Sequence, residues 1–553
     1  MVVHIRLESH ELEVQPGQTL FDCADRLHLP ITNSCGKKGT CRECLVEVAE
    51  GGDLLRPRTE EERHLRGDFR LACRARIRGQ SGTIRFRRLR WSGVQIVDSG
   101  AELPETSRRF DPAVTRDGAE VRLEGTPIAE TSGPIYGLAV DLGTTTVVVR
   151  LVDLESAHIV ASQSFENPQR FAGSDVMARI AYTADDQESR LRLTLAAYIN
   201  EAVAYFDCQS TDIYEICLVG NPTMRDILFG MDVRPLGQSP YRSITEHEYR
   251  ARERTTTGLS LPARQLGLQL HPHARAYSLP LIGSHVGADA AACLLAVGAL
   301  DEDRLIAIVD IGTNTELLVG NRRRMLAASC PAGPAFEGGA IACGMPAFAG
   351  AIEGVQLRDG EAPTLRVIGG GPAVGVCGSG LVDVLAELRR TGKMSELGRL
   401  AGGRFAIDAV NNIYLSESDI STIAQAKAAQ VAGWVLLMRR YGAVYEAIER
   451  LYLAGGFASR IAIDAALRIG LIPPVDRAKV HSVGNAAIEG ATLALCSRPL
   501  RLQLESFVKT IEHVELETEE GFFDAFVEGC RFKPIAQQSR GSDVDNPTII
   551  ERA

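Results

Sequence analysis

The sequence predicts an α/β protein of several domains, and three observations support this fold class. The chain has 553 residues, which is enough for three or more hydrophobic cores of ordinary domain size. A cysteine-rich N-terminal stretch lies among short alternating strands and one short helix. Farther along, a strand–glycine turn–strand pattern occurs near residue 140 and again near residue 310. Such self-similarity indicates duplicated halves in the later part of the chain.

The composition argues against several function classes. A formal net charge of −10 is atypical of a general nucleic-acid binder. The first thirteen residues alternate like a strand and lack the apolar core of a secretory signal, and no apolar run is long enough to cross a membrane. The thirteen cysteines show no paired framework, which is typical of a reducing compartment. We therefore expect a cytoplasmic protein that binds neither nucleic acid nor membrane.

The cysteine-rich stretch reads Cys35-Gly-Lys-Lys-Gly-Thr-Cys41-Arg-Glu-Cys44, and a further cysteine follows at residue 73. Three cysteines in a glycine-bearing loop and one distant cysteine are typical of [2Fe–2S] ferredoxins, although the plant-type first gap has four residues and this one has five. Structural zinc and free thiols are the alternatives, but zinc sites usually use two short pairs, and this stretch contains one Cys-x-x-Cys. The predicted cluster ligands are Cys35, Cys41, Cys44 and Cys73.

The elements around this stretch predict a small domain at residues 1–90. Residues 2–7 and 11–14 alternate as two strands, a short helix begins after Thr19 as its cap, and residues 44–49 alternate as another strand. This order of strands, helix, cluster loop and returning cysteine matches the β-grasp fold of [2Fe–2S] ferredoxins. Cys23, on the helix, is interpreted as a core thiol.

Arginines are dense at the end of this domain and make it locally basic in an acidic protein. They either form a solvated strand face or dock an acidic redox partner, since complementary charge mainly raises the encounter rate. The residues are Arg74, Arg76, Arg78, Arg85, Arg87, Arg88 and Arg90.

Residues 91–134 are predicted as a linker because prolines and glycines punctuate them and no hydrophobic period persists. A tether of this kind would let the cluster domain move.

The repeated strand–turn–strand pattern carries Asp141 in its first copy and Asp310 in its second. Backbone N–H groups and hydroxyls of a glycine turn cradle phosphate oxygens, and an aspartate at each strand end can hold Mg²⁺ through waters. Glu316 follows the second turn and either orients an attacking water or is a plain solvated glutamate. The predicted phosphate-binding residues are Gly143, Thr144, Thr145, Thr146, Gly312, Thr313 and Asn314.

A third element, a strand ending in Gly455-Gly456, could lie against an adenine ring. The three elements in this order resemble the acetate and sugar kinase, heat-shock cognate and actin superfamily. The resemblance implies an actin-like ATPase with two ribonuclease-H-like lobes that hold ATP between them. We assign residues 135–210 to its first-lobe (middle) subdomain, 211–536 to the actin-like ATPase domain, and 537–553 to a flexible tail.

Six further stretches resemble the reductive activators of corrinoid enzymes, in which a [2Fe–2S] domain precedes an actin-like ATPase. The cluster loop departs from that family at Lys37, where glycine is common. The six stretches begin at Asn167 (Asn-Pro-Gln-Arg-Phe), Gly220 (Gly-Asn-Pro-Thr), Ile282 (Ile-Gly-Ser-His-Val-Gly-Ala-Asp), Ser329 (Ser-Cys-Pro-Ala-Gly), Val376 (Val-Cys-Gly-Ser-Gly) and Gly484 (Gly-Asn-Ala-Ala).

The resemblance implies an ATP-dependent enzyme that passes one electron from its cluster to an inactive Co(II) corrinoid protein and restores the Co(I) state of a methyltransferase system. It also implies Mg²⁺, an upstream low-potential electron donor and a homodimer. Three alternatives stay open. They are an ATP-driven activator of the 2-hydroxyacyl-CoA dehydratase type, a metabolic kinase with the actin-like fold, and an actin-like filament or scaffold with a redox sensor.

Overall fold

The computed structural model describes residues 2–7, 10–29, 31, 35–41, 43–89, 91, 95–100, 110–186, 189–312, 314–456 and 460–536. The predictions for Arg90, Thr313 and the tail at 537–553 lie outside these residues. The chain forms two compact units. Of the described residues, the first contains those within 1–300 and 485–510, and the second contains those within 301–484 and 511–536.

The first ninety residues form a five-stranded sheet and one helix, α1, at Leu20–Arg26. The sheet order is β2-β1-β5-β3-β4, with β1 parallel to β5 and the other neighbours antiparallel. This arrangement confirms the predicted β-grasp, ferredoxin-like fold. The strands are β1 (Val3–Leu7), β2 (His10–Val14), β3 (Leu45–Glu50), β4 (Phe69–Leu71) and β5 (Gly82–Arg88).

Helix α1 begins where the sequence predicts, because Thr19 and Asp22 cap it reciprocally. Thr19 Oγ1 accepts from the backbone N–H of Asp22 at 3.1 Å, and Asp22 Oδ2 accepts from the N–H of Thr19 at 3.0 Å. This capping box satisfies two N–H groups that the helix itself leaves unbonded.

The segment predicted as a linker forms four strands. β6 (Gln95–Gly100) pairs with a later strand, while β7 (Val114–Asp117), β8 (Glu120–Leu123) and β9 (Thr126–Glu130) form an antiparallel sheet of their own. Glycines that suggested a linker occupy the tight turns of this small sheet, at Gly118 (φ +64°) and Gly125 (φ +82°). The four strands have four to six residues each, which is too short for a persistent sequence period.

A seven-stranded sheet forms the centre of the first unit, in the order β14-β15-β13-β10-β11-β12-β6. Strand β13 pairs in parallel with β10, with Val219 opposite Asp141. The predicted border between residues 210 and 211 therefore lies within one sheet, and the unit continues to residue 300. The strands are β10 (Tyr136–Leu142), β11 (Thr146–Asp153), β12 (His158–Glu166), β13 (Ile213–Gly220), β14 (Leu259–Pro262) and β15 (Arg275–Ser278).

The second unit contains a six-stranded sheet, a three-stranded sheet of β20-β19-β21 and a hairpin of β22 and β23. The six-stranded order is β25-β24-β16-β17-β18-β26. The strands are β16 (Ile306–Ile311), β17 (Thr315–Asn321), β18 (Arg324–Cys330), β19 (Ala351–Gln356), β20 (Thr364–Val367), β21 (Gly375–Val376), β22 (Arg404–Asp408), β23 (Ile413–Ser416), β24 (Arg450–Ala454), β25 (Val480–Gly484) and β26 (Glu512–His513).

The two central sheets share one topology. The first unit has the strand order β12-β11-β10-β13-β15, and the second has the order β18-β17-β16-β24-β25. In each order the first two pairs of adjacent strands are antiparallel and the last two pairs are parallel. This repeated order confirms the predicted duplication of ribonuclease-H-like halves.

Helices cover these sheets, and each unit contains a large apolar core. The first core joins the N-terminal sheet to the seven-stranded sheet without interruption. No helix in the described part of the chain is long and apolar enough to cross a membrane. The helices after α1 are α2 (Val176–Thr183), α3 (Arg190–Ala204), α4 (Pro222–Leu228), α5 (Ile244–Arg250), α6 (Ala288–Ala296), α7 (Gly378–Arg390), α8 (Glu417–Tyr441), α9 (Ile463–Ile469), α10 (Ala486–Cys496), α11 (Arg498–Val508) and α12 (Phe522–Gly529).

Helices α6 and α10 approach closely at Gly490, and this contact yields a stability prediction. A Cβ at position 490 would lie 1.9 Å from the carbonyl oxygen of Ala292. Glycine to alanine in an open helix position stabilises by about 1 kcal/mol, but overpacking costs about 1–3 kcal/mol. We expect Gly490→Ala to lower the unfolding temperature measured by circular dichroism. Gly402→Ala is the control, because nothing lies within 4 Å of its added Cβ. A Gly490→Ala protein as stable as wild type would contradict the contact.

Candidate functional site

The four predicted cluster cysteines form two pairs. Cys44 Sγ donates to Cys73 Sγ at 3.3 Å, and Cys35 accepts hydrogen bonds from Cys41 and from Thr40. Within the described residues, no three histidine, cysteine or carboxylate side chains converge as a metal-binding group. Two pairs of thiols suit a two-iron cluster, in which each iron takes two protein ligands.

Hydrogen bonds set the protonation of these thiols in opposite directions. Burial raises the pKa of Cys35, but the hydrogen bonds from Cys41 and Thr40 outweigh it and bring the pKa to about 6. The shared hydrogen bond raises the pKa of Cys44 and lowers that of Cys73. Since the thiolate is the form that binds metal, Cys35 and Cys73 are the two thiols prepared for a positively charged ligand.

Lys37 holds the cluster loop against α1. Its φ of +66° is the left-handed conformation that favours glycine. Its ammonium donates to Asp25 Oδ2 at 2.6 Å, approaches Asp22 at 3.6 Å and lies 4.3 Å from the ring centre of Phe21. These contacts explain how this chain accommodates lysine where the resembling family commonly has glycine.

A helix of the seven-stranded domain reaches the cluster loop directly. The hydroxyl of Tyr198, on α3, donates to the backbone carbonyl of Glu43 at 2.9 Å, and Glu43 lies between two predicted ligands. The Tyr198 ring stacks on Trp91 with centroids 5.5 Å apart, and Trp91 also packs on Phe165 at 4.7 Å. The cluster domain thus packs against the next domain through an aromatic group.

Most of the dense arginines hold the protein's own backbone or acidic groups. Arg76 donates to the Gly17 carbonyl at 2.9 Å and Arg78 to the Asp53 carbonyl at 3.1 Å. Arg74 pairs with Glu61 at 2.9 Å. These contacts favour a structural role over the predicted partner-docking face at these three positions.

Buried side chains brace the first predicted phosphate-binding turn, Gly143–Thr146, from one side. Asn167 Nδ2 donates to the Gly143 carbonyl at 2.8 Å, and its backbone N–H donates to the Thr145 carbonyl at 2.8 Å. Arg179 Nη2 donates to the Thr144 carbonyl at 2.6 Å. Three successive carbonyls are therefore fixed, and a Cβ on Gly143 would lie 2.3 Å from the Thr146 carbonyl oxygen.

Two asparagines from other motifs complete this region of the first unit. Asn221 caps α4 and donates from Nδ2 to Thr144 Oγ1 at 3.0 Å. Asn485 caps α10 and donates from Nδ2 to Asp141 Oδ2 at 2.7 Å. The structure thus joins the predicted residues Asp141 and Thr144 to motifs that the sequence left without a role.

The second turn, in the second unit, brings Asp310 and Gly455 together. Gly455 has φ +101°, and a Cβ there would lie 2.9 Å from Asp310 Oδ1. Gly456 follows on the surface and Gly312 donates its N–H to the Asn314 carbonyl at 3.2 Å. The bare glycine backbone leaves room beside the Asp310 carboxylate that a side chain would fill.

Glu316 lies opposite Asp310 on the neighbouring strand and is buried. Its Oε1 accepts from Ser329 Oγ at 3.3 Å, so a solvated surface glutamate is excluded. Glu337 Oε1 lies 3.8 Å from a Cβ built on Gly312, which places a further carboxylate beside the second turn.

Sequence reasoning missed the residues that position the turns. Asn221 and Asn485 carried a signal, because asparagine before a helix is a frequent cap. Arg179 and Tyr198 carried none, since their partners are backbone carbonyls distant in sequence.

Three family models match the chain. The 2Fe-2S iron-sulfur cluster binding domain matches residues 3–78, the RACo middle region matches residues 136–302, and the C-terminal domain of RACo, the ASKHA domain, matches residues 304–540. The chain belongs to the RACo family. The border between its RACo middle and C-terminal domains coincides with the border of the two structural units near residue 300. The first match supports a [2Fe–2S] cluster, and the ASKHA match supports nucleotide binding.

Relatives of this RACo family chain extend over most of its length. The corrinoid activation enzyme RamQ of Eubacterium limosum is 28% identical, with 96% of this chain and 99% of the relative covered. The Co(II) methylated amine-specific corrinoid protein reductase of Methanosarcina barkeri is 25% identical over 70% of this chain and 75% of its own. A solved structure of a reductive activator for corrinoid, iron-sulfur protein is 26% identical, has a TM-score of 0.70, and matches with 96% of this chain and 98% of that chain covered.

The paired thiols predict which cysteine changes remove the cluster. Cys44→Ala breaks the Cys44–Cys73 pair, so we expect loss of bound iron and of the visible absorption of the purified protein. Cys23→Ala is the control, because Cys23 is fully buried on α1 and its burial raises its pKa to about 12. Equal iron loss in both variants, or full iron in Cys44→Ala, would contradict the assignment.

The Tyr198 hydroxyl predicts a shift in reduction potential. The positive end of the hydroxyl dipole points toward the cluster loop. It therefore stabilises the reduced form of the cluster, which carries one more electron. A hydrogen bond is worth about 1 kcal/mol and one electron about 2.3 kcal/mol per 100 mV, so Tyr198→Phe should lower the potential by up to about 40 mV. Tyr205→Phe is the matched control, since that hydroxyl bonds to Glu201 on the same helix at 3.1 Å. Redox titration followed by electron paramagnetic resonance measures both variants, and equal potentials would contradict the role.

Proposed function

We propose that this protein is an ATP-dependent reductive activator, which passes one electron from its [2Fe–2S] cluster to an inactive Co(II) corrinoid protein and restores the Co(I) state of a methyltransferase system. The observation that carries the proposal is the union of paired cluster cysteines, a braced glycine turn at Gly143–Thr146 and a second glycine turn beside Asp310 in one chain of the RACo family. The two relatives that match over most of their length have names that describe action on corrinoid proteins.

We assign four cysteines to the cluster, namely Cys35, Cys41, Cys44 and Cys73. Their donor chemistry fits, because the four thiols form two pairs and Lys37 and Tyr198 hold the loop that contains three of them. When bound, the cluster supplies a one-electron carrier, and plant-type clusters have potentials near about −400 mV. The protein's part is to fix the loop and to exclude water from its Glu43 side.

We assign two turns to the phosphates of ATP. The first turn contributes Gly143, Thr144, Thr145 and Thr146, and the second contributes Gly312, Thr313 and Asn314. The carbonyls of the first turn are already engaged by Asn167 and Arg179, so the turn is ordered before nucleotide binds. Gly455 and Gly456 are assigned to the adenosine part, where bare backbone permits close approach.

Asp141 and Asp310 are assigned to Mg²⁺ through water, because magnesium dehydrates reluctantly and usually keeps several waters. Asn485 orients the Asp141 carboxylate by donating to Oδ2. Glu316 is buried next to Asp310 in the strand register, and we retain it as the residue that orients the attacking water.

ATP is needed because transfer to an acceptor of lower potential costs about 2.3 kcal/mol per 100 mV for each electron. Tight binding alone cannot supply this free energy, since a ligand shifts an equilibrium only by its differential affinity for two conformations. We propose that the nucleotide-bound conformation is the one that binds the Co(II) partner, and that hydrolysis releases the product.

The partners that follow from this function are a corrinoid protein, a low-potential electron donor and a second copy of the chain in a homodimer. All thirteen cysteines lie among the described residues and none of them forms a disulfide bond, which supports a reducing, cytoplasmic compartment. An ATP-driven activator of the dehydratase type is disfavoured by the 2Fe-2S domain match at residues 3–78. A metabolic kinase with the actin-like fold remains the second candidate.

The experiment is anaerobic reduction of a Co(II) corrinoid protein by the reduced holoprotein, followed through the Co(I) absorbance. We expect Co(I) only with Mg-ATP present. Asp310→Ala should lower the rate at least about tenfold, since removal of a charged interaction costs about 1.5–3 kcal/mol, and Cys41→Ser should abolish it.

Asn411→Ala, in a surface turn of the second unit, is the matched control. Co(I) formation without nucleotide, or brisk phosphorylation of a small molecule with no cobalt reduction, would overturn the proposed function.

A further inference from the structure

Residues 166–182, which we call the bridge segment, contact the first phosphate-binding turn on one side and the cluster domain on the other. The segment contains the end of β12, a short turn of helix and α2. It includes the Asn-Pro-Gln-Arg-Phe motif, to which the proposed function alone gives no purpose.

The first contact with the cluster domain is an ion pair. Arg87, on β5, donates from Nη1 and Nη2 to the two carboxylate oxygens of Glu166 at 2.8 and 3.2 Å. Glu166 is 1% exposed and also bonds to Arg170. A carboxylate buried to this degree is stable only while its cationic partners are present.

The second contact lies on α2. The Tyr182 hydroxyl donates to the backbone carbonyl of His64 at 2.8 Å, and the Arg66 guanidinium lies 4.8 Å from the centre of the Tyr182 ring. The Arg66 backbone N–H donates to the Phe171 carbonyl at 3.2 Å. Two parts of the bridge segment therefore hold the same domain.

Each of these contacts lies next to a brace of the phosphate-binding turn. Glu166 adjoins Asn167, which bonds to the carbonyls of Gly143 and Thr145. Tyr182 lies one helical turn after Arg179, which bonds to the Thr144 carbonyl. Asn167 and Arg179 are both fully buried, so neither can move without its neighbour in the bridge segment.

We infer that the bridge segment couples nucleotide binding at Gly143–Thr146 to docking of the cluster domain, so that each favours the other. The inference rests on the proposed function, because it needs nucleotide at this turn. Docking orders the bridge segment and through it the turn, which lowers the entropy cost of binding phosphate. By thermodynamic linkage, nucleotide then favours docking by the same factor. Asn167 and Arg179 are positioning residues in this scheme.

The coupling has a consequence for electron delivery. Docking also makes the contact between Tyr198 and the Glu43 carbonyl in the cluster loop. A nucleotide-bound protein therefore keeps its cluster loop in the buried, hydrogen-bonded environment, and loss of nucleotide weakens that environment.

The test uses the full-length holoprotein and the magnesium complex of a non-hydrolysable ATP analogue with a β–γ imide. Hydrogen–deuterium exchange of residues 60–89 is measured with and without saturating analogue, and calorimetry gives its dissociation constant. We expect the analogue to slow exchange in wild type. The double variant Arg87→Gln, Tyr182→Phe should lose this protection and bind the analogue about fivefold or more weakly.

The matched control is the double variant Arg85→Gln, Tyr205→Phe. Arg85 lies on the same strand as Arg87 but pairs within its own domain with Glu50 at 3.7 Å, and the Tyr205 hydroxyl bonds to its own helix. We expect it to behave as wild type. Iron content of each variant shows whether the cluster domain is folded.

Unchanged exchange in wild type at saturation would overturn the coupling, and so would protection retained in the Arg87→Gln, Tyr182→Phe variant. Neither measurement uses a corrinoid protein. Failure of cobalt reduction with intact coupling would therefore overturn the proposed function alone, whereas absence of analogue binding by wild type would overturn both.

Discussion

The structure of the first unit depends on the hydrogen bonds that fix the turn at Gly143–Thr146. Three successive carbonyls of this turn accept from Asn167 and Arg179, which are fully buried. Buried hydrogen-bond donors almost always have an acceptor. Because these two side chains are buried, they keep their hydrogen bonds to the turn and hold it in one conformation. Their neighbours in the chain contact the ferredoxin-like domain, and the ferredoxin-like sheet shares one continuous core with the sheet that carries this turn.

The buried carboxylate of Glu215 in the first unit is tolerated because two arginines pair with it. Arg501 donates to both carboxylate oxygens of Glu215 at 2.9 and 2.8 Å. Burial opposes ionisation of Glu215, but Arg501 and Arg275 outweigh it and lower the carboxyl pKa. Arg501 belongs to α11, in the segment that returns to this unit after residue 484, and Glu215 belongs to β13. This bidentate pair therefore joins the returning segment to the central sheet.

The two duplicated halves keep one topology but surround their aspartates differently. Asp141 accepts from an asparagine that caps a helix, whereas Asp310 faces the bare backbone of Gly455. A hydrogen-bonded carboxylate has a fixed direction, while a glycine beside a carboxylate leaves room for a ligand. The difference suits an assignment in which the first half orders phosphate and metal, and the second half also receives the nucleoside.

The sequence by itself determined the local features: the cysteine loop, the Thr19 cap, the two glycine turns and their duplication. These features depend on residue types at short spacing, so their physical causes lie within a few residues. It did not reveal the strands at 95–130, which are too short to show a period, or the border near residue 300, which depends on strand order. Only the tertiary structure decided that Arg179, Tyr182, Tyr198 and Arg87 join distant elements, because a long side chain bonded to a remote carbonyl or carboxylate leaves no pattern in the sequence.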